Sequence, residues 1–163
     1  MKSQMSFHRH LLVSIPFAAM LASMVVAGAQ TQAPKEIYPA PDVAQDELKA
    51  ALANAAKLHK RVILDFGGNW CGDCKALDKY FHQEPNAALL KQNFILVDVN
   101  IGHADKNLDI AKAYDVPLGK GVPALAVLDE SGHLLFSQKK GEFESMRRMD
   151  PSSVTDFLKH WKS

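Results

Sequence analysis

Apolar residues recur along this chain in two rhythms. Val62-Ile63-Leu64-Asp65-Phe66, Phe94–Val99 and Ala124–Leu128 are short and almost wholly apolar, the pattern of strands covered on both faces. Leu134–Ser137 comes straight after the turn Glu130-Ser131-Gly132-His133 and reads as the returning strand of a hairpin. Between the strands the apolar spacing widens to three and four. Asp42 can cap a helix running to about His59, with Val43, Leu48, Ala51, Leu52, Ala55 and Leu58 near one face. Cys74 to Phe81 continues as a helix offering Leu77, Tyr80 and Phe81 for packing, and Asn86 opens a short helix through Leu90. Asn107–Tyr114 is a further helix that stops before Pro117. Asp150-Pro151-Ser152-Ser153 joins an N-cap to a proline at the first helical position, and a last helix runs from there through Trp161. The order α-β-α-β-α-β-β-α predicts an α/β domain.

The first thirty residues follow neither rhythm. Lys2, His8, Arg9 and His10 make a weakly basic start, Leu11–Val26 is apolar apart from two serines and Pro16, and Ala27-Gly28-Ala29 supplies small residues. This is the layout of a secretory signal peptide cleaved after Ala29. As a retained anchor the 16-residue run falls short of the ~20 residues needed to cross a bilayer. The expected organisation is a signal peptide over 1–29, a mobile Pro- and Ala-rich lead-in over 30–41, and one domain over 42–163. Of the chain's 19 basic residues only Lys2 and Arg9 lie in the leader, so Gln30–Ser163 carries 17 against 18 acids, a net charge of −1. That balance argues against nucleic acid as a partner.

The two cysteines of the chain stand three apart in Cys71-Gly72-Asp73-Cys74, immediately after a strand and at the start of a helix. A pair this close closes a minimal ring and adds little stability, so it is better explained by chemistry. At a helix start the backbone N–H groups and the dipole favour a thiolate on the first cysteine. That thiolate attacks a disulfide, and the second cysteine resolves the mixed disulfide. Zinc sites use the same spacing but need two further ligands, and there is no second cysteine pair.

Asp65-Phe66, then Trp70-Cys71-Gly72-Asp73-Cys74-Lys75, then Gly121-Val122-Pro123-Ala124 before a strand, resemble the thioredoxin superfamily. The resemblance covers roughly Asp42 to Lys162. It is strongest with exported thioredoxin-like proteins and with the C-terminal domain of thiol:disulfide interchange reductases, where Phe-Ile-Leu-Val-Asp-Val-Asn has a close counterpart. It implies a thioredoxin-like fold, a central mixed β-sheet flanked by helices, and a protein-disulfide reductase with no cofactor beyond the Cys71–Cys74 dithiol/disulfide. It implies Cys71 as the nucleophile at an exposed helix start and Cys74 as the more buried resolving thiol. Asp65 becomes the buried carboxylate beneath Cys74 that accepts its proton through water; taken alone, it could also be a strand-end residue facing solvent. Trp70 would cover the disulfide and shape the docking surface, although a core aromatic would read the same. Pro123 matches the family's cis-proline, which sets the Val122 backbone beside the disulfide for a substrate strand.

Gly72 and Asp73 occupy the positions that tune the potential. A carboxylate at Asp73 opposes ionisation of Cys71 and so favours an electron donor over an oxidant. Gly67-Gly68-Asn69 replaces a bulkier lead-in and suggests a more open rim; Leu118-Gly119-Lys120 lengthens the loop before Val122. Arg147-Arg148 reads as a solvated pair. The expected protein is an exported monomer, periplasmic or secreted, that reduces protein disulfides with electrons from a membrane thiol reductase. The alternative is a copper- or zinc-binding assembly protein using Cys71, Cys74 and a histidine.

Overall fold

Alternation along the first strand sorts the core into two halves. In β1 (Arg61–Gly67), Val62, Leu64 and Phe66 point to one face of the sheet and Ile63 to the other, all fully buried. The structure, a computed structural model, describes residues 36–163, so the signal segment read at 1–29 lies outside the described residues. The sheet runs β2-β1-β3-β4 through β2 (Phe94–Asn100), β3 (Ala124–Leu128) and β4 (Leu134–Ser137). β1 pairs parallel with β2 and antiparallel with β3, and β3 pairs antiparallel with β4. The sheet is therefore mixed, and the fold is the thioredoxin fold.

Over the face of Val62, Leu64 and Phe66 lie α1 (Ala44–Leu58), which contributes Leu48, Ala51 and Ala55, and α4 (Leu108–Ala113), which contributes Ile110 and Ala111. Over the face of Ile63, Leu125 and Val127 lie Leu77 and Phe81 of α2 (Gly72–Phe81) and Val154 and Leu158 of α5 (Ser152–Trp161). The short α3 (Asn86–Asn93) follows α2 after the cis Glu84–Pro85 bond. Its buried Asn86 donates to the Tyr80 carbonyl and accepts from the Thr155 hydroxyl, joining α2 to α5.

Two expectations change. The apolar face of α1 is narrower than its spacing suggests: Val43, which lies in a 3-10 turn over Pro41–Val43 ahead of the helix, and Leu58, its last residue, are exposed, and Ala44 is buried. The segment read as a mobile lead-in is, from residue 36 onward, laid against the domain. Tyr38 is fully buried, Asn100 Nδ2 donates to Pro39 O at 2.7 Å, and Asn107 Nδ2 donates to Pro41 O at 2.8 Å. Ile37, Tyr38 and Pro39 carry enough apolar surface to hold such a strap once Asn69, Asn100 and Asn107 satisfy its backbone.

Candidate active site

The site forms where β1 ends and α2 begins. Cys71 is the N-cap of α2, with extended backbone angles (φ −81°, ψ 114°). Its Sγ accepts a hydrogen bond from the Cys74 backbone N–H at 3.0 Å, so a sulfur does the work that serine or aspartate does in most helix caps. Cys74 lies one turn in, and the two are joined as a disulfide with Cα atoms 5.3 Å apart. The exposed helix start expected for Cys71 is not what this oxidised form presents: Cys71 is 5% exposed and Cys74 0%. Val122 packs against the pair, and its carbonyl oxygen lies 3.7 Å from Cys71 Sγ.

The Val122–Pro123 peptide bond is cis. The loop is fixed from behind by Gln138, which is 2% exposed: its Nε2 donates to Pro123 O at 3.1 Å and its Oε1 accepts from Leu125 N at 3.3 Å. Nothing in the sequence marked Gln138, since a glutamine after a hairpin strand ordinarily faces water.

Trp70 is half exposed, so it is not a core aromatic. Its indole N–H donates to Gly102 O at 2.6 Å and its ring stacks on His103 at 5.5 Å. Gly68 permits this pose, because a Cβ there would sit 2.7 Å from the indole nitrogen.

Asp65 is buried at 1% exposure rather than facing solvent. Its Oδ2 accepts from the Tyr38 hydroxyl at 2.9 Å, while its Oδ1 is buried without a hydrogen-bond partner. Burial pushes its carboxyl well above the usual carboxylate range, the neighbouring Asp98 and Asp78 push further, and the Tyr38 hydrogen bond opposes them. Tyr38 was missed in the sequence because it lies in a proline-rich stretch outside any periodic element.

Asp73 does not act as a lone charge. Its carboxylate accepts from the Arg147 backbone N–H at 2.8 Å and from Arg147 Nη2 at 3.0 Å. The Arg147 side-chain hydrogen bond, the largest influence, holds the Asp73 carboxyl below its usual range. Arg147 is thus a partner of the active-site helix and not simply half of a solvated pair. Its guanidinium passes over Gly72, where a Cβ would meet it at 3.2 Å. Among the described residues, no group of three or more His, Cys, Asp or Glu side chains is placed to hold a metal ion. No described helix is long and apolar enough to cross a membrane.

Comparison with known proteins agrees with this geometry. The family model described as thioredoxin-like matches residues 43–130. The chain is 34% identical over 90 residues to the thiol:disulfide interchange protein DsbD of Vibrio vulnificus, a stretch covering 54% of this chain and 14% of that protein. It is 31% identical over 105 residues to DsbD of Citrobacter koseri, covering 64% of this chain and 17% of that one. The match thus takes in less than a fifth of these curated relatives. A crystal structure of a disulphide isomerase from Xylella fastidiosa superposes with a TM-score of 0.75 at 35% identity, covering 78% of this chain and 98% of that one. The germline-specific thioredoxin Deadhead of Drosophila melanogaster, 20% identical with a TM-score of 0.50, covers 72% of this chain and 92% of its own and shares the fold. The chain belongs to the thioredoxin-like family, and its Cys71–Cys74 pair makes it a thiol–disulfide oxidoreductase.

Proposed function

We propose that this protein is exported, to the periplasm of a bacterium or beyond, and there reduces disulfides of other exported proteins. The reading rests above all on one observation: the disulfide caps α2 through Cys71 Sγ, beside the cis-Pro123 loop, while Asp65, a buried carboxyl of raised proton affinity, is held by the Tyr38 phenol that shares the Gly67 hollow with Cys74 Sγ. In the reduced form, Cys71 thiolate attacks one sulfur of a client disulfide. The first client thiolate leaves and takes a proton from water. Cys74 gives its proton to Asp65 and attacks Cys71 Sγ; the second client thiolate leaves, and two electrons have passed to the client. A carboxyl whose proton affinity is raised by burial suits this transfer better than an ordinary aspartate.

The direction of electron flow follows from the acids on the floor. Asp78, one turn beyond Cys74 on α2, and Asp98, paired beside Asp65 on β2, add negative charge on that side of the site, which disfavours thiolates and makes the couple more reducing. The positions of Trp70 and Val122, with cis-Pro123, suit them to receive an extended client segment. Gly72 and Asp73 would set the potential together with Arg147. The redox group is the dithiol itself, with no other cofactor. Its electrons would come from a membrane thiol reductase, as the likeness to part of a thiol:disulfide interchange protein suggests. We take the protein to act as a monomer and to be freed of its leader after Ala29.

A Cys74→Ala variant expressed with its leader tests this. It should accumulate mixed disulfides through Cys71 with exported proteins, identified by mass spectrometry. Capture of no exported protein would overturn the reading.

A further inference from the structure

The Gly67-Gly68-Asn69 segment, the strap at Ile37–Pro41 and the buried face of Asp65 form one construction. Asn69 Oδ1 accepts from the backbone N–H groups of Ile37 at 2.9 Å and Tyr38 at 3.1 Å, and its Nδ2 donates to Tyr38 O at 2.8 Å. One side chain next to the Trp70-Cys71 pair thus clasps the strap at the residue whose ring goes inward. The ring then needs space, and Gly67 supplies it. A Cβ on Gly67 would lie 2.6 Å from Tyr38 Cζ and 2.8 Å from Cys74 Sγ. The phenol and the resolving sulfur therefore share the hollow left by that missing side chain, and the phenol hydroxyl reaches Asp65 Oδ2 at 2.9 Å.

We infer that Tyr38 is a positioning residue for the resolving step: it fixes the Asp65 carboxyl beneath Cys74, supports its ionised form, and leaves Oδ1 to take the Cys74 proton. This rests on the proton-acceptor reading of Asp65. The charged and titratable groups acting on Asp65 are Tyr38 on the strap, Asp98 on β2 and Asp78 on α2; β3 presents the apolar Leu125 opposite it, and Cys74 Sγ borders the same Gly67 hollow as the phenol that reaches Asp65. Of the protein charges around it, the acids raise its proton affinity, and the phenol hydrogen bond lowers it. Without the hydroxyl, less Asp65 is ionised at neutral pH and fewer molecules can accept the proton. In the step itself the Cys74 S–H bond breaks, its proton passes to Asp65, and its electron pair forms the bond to Cys71 Sγ. The client sulfur departs with the electrons of the broken mixed disulfide.

The reduced, leaderless protein can be mixed with excess dithiobis(nitrobenzoate) and thionitrobenzoate release followed by absorbance across a pH series. The first phase loads Cys71; the second is resolution by Cys74. Tyr38→Phe keeps the ring in its hollow. It should leave the first phase unchanged and slow the second by about tenfold at neutral pH, with the rates converging at high pH. The infrared band of the protonated Asp65 carboxyl, assigned by its loss in Asp65→Asn, should persist to higher pH in Tyr38→Phe. A second phase in Tyr38→Phe that is unchanged, or slowed equally at every pH, would overturn the proposal if Asp65→Asn still abolishes the pH dependence. If Asp65→Asn itself retains the unaltered profile, the acceptor role of Asp65 fails, and this proposal falls with it.

Discussion

The two sulfurs of a single disulfide look onto opposite surroundings. Around Cys71 the structure is a rim of exposed pieces: Trp70 resting on Gly102 and His103, and Asp73 paired with Arg147, whose side chain is 66% exposed. Around Cys74 it is a closed floor: Tyr38 packs against the sulfur and hands on to Asp65 through its hydroxyl, with no water-facing surface to speak of. Charges on the rim are hydrated and screened, so a pair such as Asp73–Arg147 contributes modestly. A charge on the floor has no solvent to fall back on, so its protonation is decided by a few fixed neighbours. Under the proposed function, the rim would meet the clients and the floor would receive the proton of the resolving step.

Separating the two cysteines tests the comparison most severely. Cys71→Ser should lose all disulfide reduction and all capture. Cys74→Ser should lose turnover and yet hold the mixed disulfide, read as a mass increase by the client. The reverse pattern would exchange the roles of rim and floor.

Filling the floor comes next. Gly67→Ala places a methyl group against Tyr38 and Cys74 Sγ, both rigidly packed. Overpacking of this kind should lower stability by about 1–3 kcal/mol, measured by urea unfolding of the oxidised protein. An unchanged midpoint would mean that the hollow is not tightly built.

The floor also makes a prediction about pH. Folded Asp65 binds its proton more tightly than the unfolded chain, whose carboxyl stays near the ordinary 3.8. Between 3.8 and the raised folded value the native state holds more protons, so stability falls as pH rises through that window. Asp65→Asn should remove this decline. Urea midpoints taken across the acid-to-neutral range would show it, and an equal decline in both proteins would place its source elsewhere.

The smallest effect belongs to the rim. Arg147→Ala leaves Asp73 unopposed beside Cys71 and should make the couple more reducing; Asp73→His should make it more oxidising. Each should move the equilibrium with a glutathione buffer by less than about tenfold, and the Arg147→Ala shift should shrink in high salt. A large, salt-insensitive shift would mean that the rim charges are felt as strongly as those on the floor.

Much of this was legible in residue order. The all-apolar strands, the hairpin turn and the place of Cys71-Gly72-Asp73-Cys74 at a strand–helix junction are local facts, and local spacing controls which faces are buried. So the strands, the helices between them and the closeness of the two sulfurs followed from residue spacing, and the mixed sheet from the resemblance those residues carry. What local spacing could not convey was how distant segments meet. Tyr38 stands 27 residues from Asp65, and Arg147 stands 74 from Asp73. A phenol in a proline-rich stretch carries no periodic signal, and Gly67 shows its purpose only once the ring that fills its hollow is in place. Residue order was enough for the element pattern and the redox pair. The side chains that line each sulfur came to light in the folded chain alone, because burial and contacts between residues far apart in the chain select them.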